Sequence, residues 1–222
     1  MILNAIRTGD LTYILMSFLA SLFVVFIVIP IHEFAHAYTS YKLGDPTPKL
    51  MGRLTLNPLK HIDPIGAVAI ILIGFGWGKP CPIDPRYYKD RKKDMAKVAF
   101  AGPGINFIFA FVLIFIQTLL QTLMSNSSSN VVAAIVIFCI YAARINIFIA
   151  LFNLIPIPPY DGYDILNLFL PSNFASFFER NQRILNIVFL ILIFSGAISL
   201  PLNFLTSGIH KFFEFIITLI LK

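Results

Sequence analysis

LTYILMSFLASLFVVFIVIPIH, residues 11–32, decides the fold class because it contains no Asp, Glu, Lys or Arg side chain. As a helix rising about 1.5 Å per residue, this stretch is long enough to cross the roughly 30 Å hydrocarbon core of a bilayer. It also lacks the small-residue cleavage site of a signal peptide. We therefore predict a retained membrane-spanning helix at this position.

The composition of the whole chain agrees with a membrane protein. Of its 222 residues, 58% are hydrophobic and 13% are charged, whereas an ordinary soluble domain has roughly a quarter charged residues. These values exclude a water-soluble globule, a disordered chain and a disulfide scaffold. The net charge of +6 does not indicate nucleic-acid binding, because the basic residues cluster beside apolar segments, as membrane topology signals do.

Further apolar windows predict an all-α polytopic membrane protein with about four to six transmembrane helices. We expect spans at about residues 97–124, 131–154 and 184–200, with a turn at 125–130 and with Pro201 closing the last span. The stretch 204–221 contains His210, Lys211 and Glu214, so the sequence leaves open whether it crosses the membrane or lies in the interface.

The apolar stretch Ile65 to Trp77 is too short for a span and is rich in glycine, including Gly74 and Gly76. Irregular backbone at membrane depth is tolerated where protein encloses it or where it lines a wet cavity. We therefore predict a re-entrant segment or a short β-hairpin. If this segment offers an extended edge, an unwound polypeptide could pair with it by strand addition.

The basic residues predict the orientation of the chain. Eleven of the 17 Lys and Arg residues lie between Lys42 and Lys97, and the turn at 125–130 has none. By the positive-inside rule, the 42–97 region faces the cytoplasm and the turn faces outward. We expect a multi-pass protein of the cell membrane.

The motif His32-Glu33-Phe34-Ala35-His36 lies at the cytoplasmic end of the first span. Positions i and i+4 share one helix face, so both imidazoles can bind one metal, with Glu33 beside them as general base. In the alternative, these are ordinary polar residues near the headgroups. Insertion of one ionisable side chain at membrane depth costs about 2.5 to 3.5 kcal/mol, and three together disfavour that alternative.

A catalytic zinc site needs a third ligand, and Asp161 is the best candidate. It follows the third span in a Pro-rich turn that ends in Asp-Gly, and the topology places it on the same side as the two histidines. Taken alone, Asp161 could equally be a helix N-cap.

Five ordered motifs resemble those of the site-2 protease family, and more narrowly its compact bacterial branch without PDZ or CBS domains. They are HEFAH, GRLTLNPLKHIDPIG at 52–66, FGWGKPCPIDP at 75–85, AGPGIN at 101–106 and FNLIPIPPYDG at 152–162. The resemblance covers about residues 11–164. It implies one Zn²⁺ per chain held by His32, His36 and Asp161, with Glu33 as catalytic base and Asn153 as a hydrogen-bond donor to the substrate or the oxyanion.

Other positions match the family less firmly. His61 could line the site as a substrate contact or proton relay, or it could hydrogen-bond a turn. Asn106, Gly74 and Gly76 are candidate site-lining residues. Two departures are Tyr160, where the family usually has Leu, and Gly104-Ile105 before Asn106. Arg144 lies inside the third span, where its charge requires protein, water or a lipid phosphate as neighbour.

The resemblance implies one membrane-embedded metallopeptidase domain over residues 1–222, with a catalytic core at about 11–164 and C-terminal helices at about 165–222. Its substrate would be a membrane protein with a transmembrane helix, met in the lipid bilayer, and the oligomeric state stays open. Two alternatives remain: a catalytically inactive family member acting as a scaffold, and a metal transporter.

Overall fold

The computed structural model describes residues 5–74, 76–124 and 129–221. Within them, four helices are long and apolar enough to cross a membrane, which confirms the all-α membrane architecture. They are α1 (Leu11–Lys42), α4 (Arg91–Leu123), α5 (Asn130–Asn153) and α9 (Ser199–Leu221). Most of the predicted turn between α4 and α5 lies outside the described residues.

Shorter helices connect and flank the four long ones. They are α2 (Thr47–Leu50), α3 (Pro64–Ile73), α6 (Asp161–Asn167), α7 (Ser172–Arg180) and α8 (Gln182–Phe194), with 3₁₀ turns at Pro58–Lys60 and Pro85–Tyr87. The described part of the chain contains an isolated antiparallel bridge between Ile62 and Gly78 but no β-strand. The division into a core at 11–164 and C-terminal helices at 165–222 stays a prediction.

Helix α1 contains a proline, Pro30, just before the HEFAH motif, and the helix continues past it. Pro30 lacks an N–H group, and its ring would clash with the carbonyl four residues before it in a regular helix. The turn before it, Val24–Val28, is a π-helix, in which the N–H of Ile29 bonds to the carbonyl of Val24. The wider turn makes room for the proline, so one helix delivers both histidines to the centre of the protein.

The core lies where three helices meet. The first part of α1, Leu11–Phe23, packs on α5, and its last part, Ile29–Lys42, packs on α4, while α4 and α5 pack on each other. Helix α9 covers α4 and α5 from the other side. The shared core is aliphatic and includes Val24, Val28, Ile70, Ile114, Ala142, Ile145 and Ile217. This packing fixes α1 against α4, the pair that builds the site.

The predicted span at 184–200 is wrong. Helix α8 ends at Phe194, Gly196 turns the chain with φ of 77°, and a new helix begins at Ser199. Pro201 does not close a helix but lies in the first turn of α9, where a missing N–H costs nothing. The uncertain stretch 204–221 therefore belongs to a helix of membrane-crossing length.

The predicted irregular or hairpin backbone at 65–77 is also corrected. Residues 64–73 form the regular helix α3, which begins where Asp63 Oδ1 accepts the N–H of Gly66 at 2.9 Å. Gly74 ends the helix in the left-handed region, with φ of 79°. Asp-Pro is a helix-start signal, and it outweighs the effect of the glycines. At ten residues, α3 is too short to span a bilayer.

Candidate metal centre

Three side chains converge between α1, α4 and α6. His32 Nε2 lies 3.1 Å from His36 Nε2. Asp161 Oδ2 lies 3.7 Å from His32 Nε2 and 3.4 Å from His36 Nε2. The three residues form one group that could hold a metal ion, and they are the three ligands that the sequence predicts.

The donor set fits zinc. Ligand atoms held about 2.1 Å from a tetrahedral zinc ion lie roughly 3.4 Å apart, close to the separations found here. Asp161 Oδ2 is buried and has no hydrogen-bond partner among the described residues. A buried carboxylate oxygen without a donor is costly. A cation among the three atoms would offset that cost.

The orientation of both imidazoles is set by α4. The Nδ1–H of His36 donates to the carbonyl oxygen of Val98 at 2.7 Å, and the Nδ1–H of His32 donates to Asn106 Oδ1 at 2.9 Å. With Nδ1 as the donor in each ring, both Nε2 lone pairs face each other and Asp161. Such outer hydrogen bonds fix the tautomer of metal-binding histidines, so Asn106 acts through His32.

Gly102 stands between these two contacts on the same face of α4. A Cβ atom at this position would lie 2.3 Å from His36 Nε2 and 2.6 Å from His32 Nε2. Only glycine leaves that space free. Residues 98, 102 and 106 are spaced four apart, so one helix face provides a carbonyl, an opening and an amide to the histidine pair.

Asp161 reaches the site through the Pro-rich turn after α5. It is the first residue of α6, and the N-cap position belongs to Tyr160, which makes no side-chain capping bond. The carboxylate is therefore free to face the histidines. Gly162 keeps the turn tight, because a Cβ there would lie 2.2 Å from the carbonyl oxygen of Leu154.

Glu33 lies beside the histidines and is 8% exposed. Its Oε2 accepts the backbone N–H of Cys81 at 3.0 Å. The residue thus has one carboxylate oxygen held by a loop. The loop, residues 76–84, forms one wall of the site.

Several polar contacts hold this loop in place. Arg53 donates to the carbonyl oxygens of Lys79 and Pro80. The N–H of Lys79 donates to the carbonyl oxygen of His61 at 2.7 Å. At the end of the loop, the N–H of Asp84 donates to Asp45 Oδ2 at 2.8 Å. These anchors lie on both sides of Cys81 and fix the peptide group that meets Glu33.

The centre opens into a cavity of about 610 Å³ with mostly apolar walls. Asn153 lines it, and its Nδ2 donates to the carbonyl oxygen of Ile149, one turn earlier, at 3.0 Å. An asparagine amide carries two N–H donors, so one remains available to a ligand. Gly76 and Trp77 also line this cavity, whereas Gly74 lines a second, neighbouring cavity.

His61 is completely buried and lies outside the residues that line the metal cavity. Its Nε2–H donates to the carbonyl oxygen of Thr55 at 2.7 Å. This contact supports the interpretation of His61 as a residue that stabilises a turn, rather than as a substrate contact or proton relay.

A third carboxylate, Asp164, lines the cavity together with Glu33 and Asp161. Burial, followed by the negative charge of Asp161, raises the pKa of Asp164 to about 6, and the nearby His36 opposes the shift. Sequence reasoning missed this residue, although its position three residues after Asp161 on a helix indicates a shared face. It also missed Val98 and Cys81, whose contributions are backbone groups without a side-chain signature.

Residues 20–196 match the model of Peptidase family M50. The chain is 37% identical to the Bacillus subtilis protein named "Putative zinc metalloprotease YwhC" over 161 residues, which are 72% of this chain and 74% of that protein. No solved structure gave a significant match.

More distant relatives carry the name "Putative zinc metalloprotease Rip2". The Mycolicibacterium smegmatis protein is 29% identical and the Mycobacterium tuberculosis protein is 26% identical, each over 142 residues. These residues make up 61% of this chain and 51% of each relative. The chain thus spans about half the length of the Rip2 proteins.

Proposed function

Because this chain belongs to peptidase family M50, the site-2 proteases, and is a zinc metalloprotease of that type, we propose that it hydrolyses peptide bonds within or next to transmembrane segments of membrane proteins. The family match confirms the resemblance that the five motifs indicate. One observation carries the proposal: three metal-donor atoms and a buried glutamate meet in one apolar cavity among membrane-spanning helices.

His32, His36 and Asp161 would hold one Zn²⁺ ion. When bound, zinc supplies a Lewis acid that activates water and polarises a carbonyl group. Asn106 and the carbonyl oxygen of Val98 hold the two imidazoles in the orientation that such binding needs.

Glu33 would act as the general base. It takes a proton from the attacking water and later passes it to the leaving amine. The N–H of Cys81 holds one of its carboxylate oxygens, which leaves the other oxygen to carry the proton. Burial beside the metal site keeps bulk water from competing for that proton.

Asn153 would donate its remaining N–H to the oxyanion that develops on the substrate carbonyl. One such donor typically contributes about 3 kcal/mol to transition-state stabilisation. The residue lies at the end of α5, next to the turn that carries Asp161, so a single local unit would supply a metal ligand and an oxyanion donor.

The substrate class follows from the setting of the site. The cavity walls include Ile29, Ile73, Ile149 and Phe152, which suit an apolar chain rather than a soluble peptide. We place the site on the cytoplasmic side of the cell membrane, because the HEFAH end of α1 adjoins the basic region 42–97.

The test compares purified wild type with Glu33→Gln, both in detergent and loaded with zinc. The two side chains are nearly the same size, so we expect both proteins to hold one zinc ion per chain. Cleavage of a reporter transmembrane peptide should fall by about 100- to 10,000-fold in the variant, because general-base catalysis contributes that much.

Each other result favours a different function. Cleavage by neither protein, with zinc bound to both, would favour a scaffold. Zinc crossing proteoliposome membranes without peptide cleavage would favour a transporter. Equal cleavage by both proteins would remove Glu33 from the mechanism.

A further inference from the structure

A second cavity of about 690 Å³ lies among α5, α8 and α9, and the proposed mechanism does not use it. It adjoins the metal cavity, because Ile73, Phe152 and Ile193 line both. Tyr13, near the start of α1, lines the second cavity, whereas His36, near the end of α1, lines the first. The second cavity is therefore displaced from the metal site toward the other side of the membrane.

Arg144 lines this cavity from the middle of α5. Its side chain is exposed, and among the described residues it has neither an ion-pair partner nor a hydrogen-bond partner. A charged side chain inside a transmembrane helix is expensive and is a marker of a functional site. Its guanidinium fork is suited to a carboxylate or a phosphate.

Polar side chains of α9 face the same cavity. Ser199, Asn203 and Thr206 are among the residues that line it. Thr206 is 2% exposed, and its hydroxyl has no hydrogen-bond partner among the described residues. A buried hydroxyl without a partner is costly. Together with Arg144 it forms an incomplete polar site, which a bound anionic group would complete.

The depth of Arg144 in the membrane decides whether the anionic group comes from a lipid phosphate or from a carboxylate on a protein chain. Arg144 follows Asn130 by 14 residues and precedes Asn153 by nine, or about 21 Å and 13 Å along the helix. Lipid phosphates lie at the ends of a transmembrane helix, beyond the comfortable reach of an arginine at that depth. A carboxylate on a membrane-spanning chain can reach it.

We propose that the Arg144 cavity binds an acidic side chain of the transmembrane substrate and thereby selects which segments are cut. This inference rests on the proposed function. Arg144 lies about 13 Å along α5 from Asn153, beside the metal centre. Because an extended chain rises about 3.3 Å per residue, the acidic residue would lie roughly four residues from the cleaved bond. The same chain would pass Phe152, at the junction of the two cavities.

Binding is measured with the Glu33→Gln protein, in which the peptide stays intact. Full-length protein is placed in nanodiscs of neutral phosphatidylcholine. The ligands are apolar transmembrane peptides that carry a quencher. Each peptide has Glu, Gln or Lys at one position, and that position is moved along the segment from one peptide to the next. Quenching of Trp77, the single tryptophan and part of the metal-cavity wall, reports occupancy.

We expect the Glu peptide to bind about tenfold more tightly than the Gln peptide, within a window of one or two positions. Arg144→Gln should abolish this difference, and Arg144→Lys should keep part of it. Arg144→Glu should reverse it in favour of the Lys peptide. Lys211→Gln, which removes a charge from α9 outside the cavity lining, is the matched control and should change nothing.

Three results would overturn the inference. The first is an affinity that does not depend on peptide charge at any position. The second is a preference for Glu that persists in Arg144→Gln. The third is loss of the preference when anionic phosphatidylglycerol is added, with that lipid retained by wild type but not by Arg144→Gln. The cavity would then be a lipid site.

The readout also separates this inference from the proposed function. Cleavage of the peptide by zinc-loaded wild type is measured in parallel. Cleavage without any charge preference would refute the inference alone. An Arg144-dependent preference without cleavage would refute the protease function and leave a membrane-peptide binding site.

Discussion

At the residue scale, the candidate metal centre depends on a glycine that leaves space beside the two histidines. The space that a side chain at Gly102 would fill is bordered by His32 Nε2 and His36 Nε2. Asn106, one turn further along α4, holds His32 by its Nδ1. We expect both residues to affect zinc affinity without contacting the metal, so both can be tested by metal binding alone.

Gly102→Ala should lower zinc affinity by more than about tenfold, because the added methyl group must displace the imidazoles from their positions. Gly104→Ala is the matched control on the same helix, since its Cβ would meet nothing closer than the Phe100 ring at 3.4 Å. Zinc per chain, measured against a competing chelator, decides the comparison. Equal affinity in the two variants would contradict the close approach of α4.

Asn106→Ala should weaken zinc binding by about 10- to 100-fold, as loss of an outer hydrogen bond to a metal-binding histidine typically does. Asn106→Asp keeps an oxygen that can accept the His32 Nδ1–H, so it should retain most of the affinity. The same chelator competition measures both variants. If the alanine variant binds zinc like wild type, Asn106 does not orient His32.

The convergence of His32, His36 and Asp161 was predictable from the sequence, since the two histidines share a helix face and Asp161 follows a Pro-rich turn on the same side. Their partners were not. The carbonyl oxygen of Val98 and the N–H of Cys81 belong to the backbone, and every residue has such groups. Only the packing of α1 against α4 and against the 76–84 loop selects these two.

At the element scale, charge-free windows located both ends of α5 and the end of α4 within one residue, but they placed the start of α4 six residues late and misplaced the boundary between α8 and α9. Charge-free windows do not detect this boundary, because apolar side chains continue on both sides of Gly196. The chain turns there because Gly196 adopts a left-handed backbone conformation. Pro201 misleads for a related reason: it can end a helix, but it is equally tolerated in the first turn of one.

The loop that meets Glu33 is anchored by a buried carboxylate just after α1. Asp45 Oδ2 accepts bonds from Ser40 Oγ at 2.7 Å and from the N–H of Asp84 at 2.8 Å. Burial alone would raise the pKa of Asp45, but hydrogen bonds from three residues outweigh it and hold the pKa below the ordinary 3.8. The carboxylate therefore stabilises the fold when ionised.

Asp45→Asn should lower the free energy of unfolding by about 1.5 to 3 kcal/mol at pH 7, the usual range for hydrogen bonds to a charged group. The difference from wild type should shrink as the pH falls below 3.8 and the carboxylate becomes protonated. Thermal unfolding in detergent, followed across pH, measures this difference in stability.

Asp10→Asn, at the exposed N-cap of α1, is the control. It should change the stability little, because Asn caps as well as Asp. A difference that persists unchanged in acid would refute the ionic role.

At the scale of the whole molecule, a cytoplasmic site requires that the basic region and the candidate metal centre share one side of the membrane. The HEFAH end of α1 and the start of α4 are joined by residues 43–90, which include most of the basic side chains between Lys42 and Lys97. The opposite ends of α4 and α5 meet near Asn130. The orientation can therefore be tested at two positions.

Single cysteines at Lys89 and Asn130, in a background that lacks Cys81 and Cys139, report on the two sides. Both positions are exposed. A membrane-impermeant thiol reagent added to intact cells should label Asn130→Cys only, and Lys89→Cys should react after permeabilisation. The opposite pattern would place the site on the outer side.

Isotope incorporation tests whether this site hydrolyses a peptide bond inside the membrane. A transmembrane peptide is incubated with zinc-loaded wild type or Glu33→Gln in water enriched in heavy oxygen, and the products are identified by mass spectrometry. We predict a cut within or next to the apolar segment and one heavy oxygen atom at the new carboxyl terminus, with wild type alone. Products without the heavy atom, or equal products from the Glu33→Gln protein, would be inconsistent with hydrolysis that depends on Glu33.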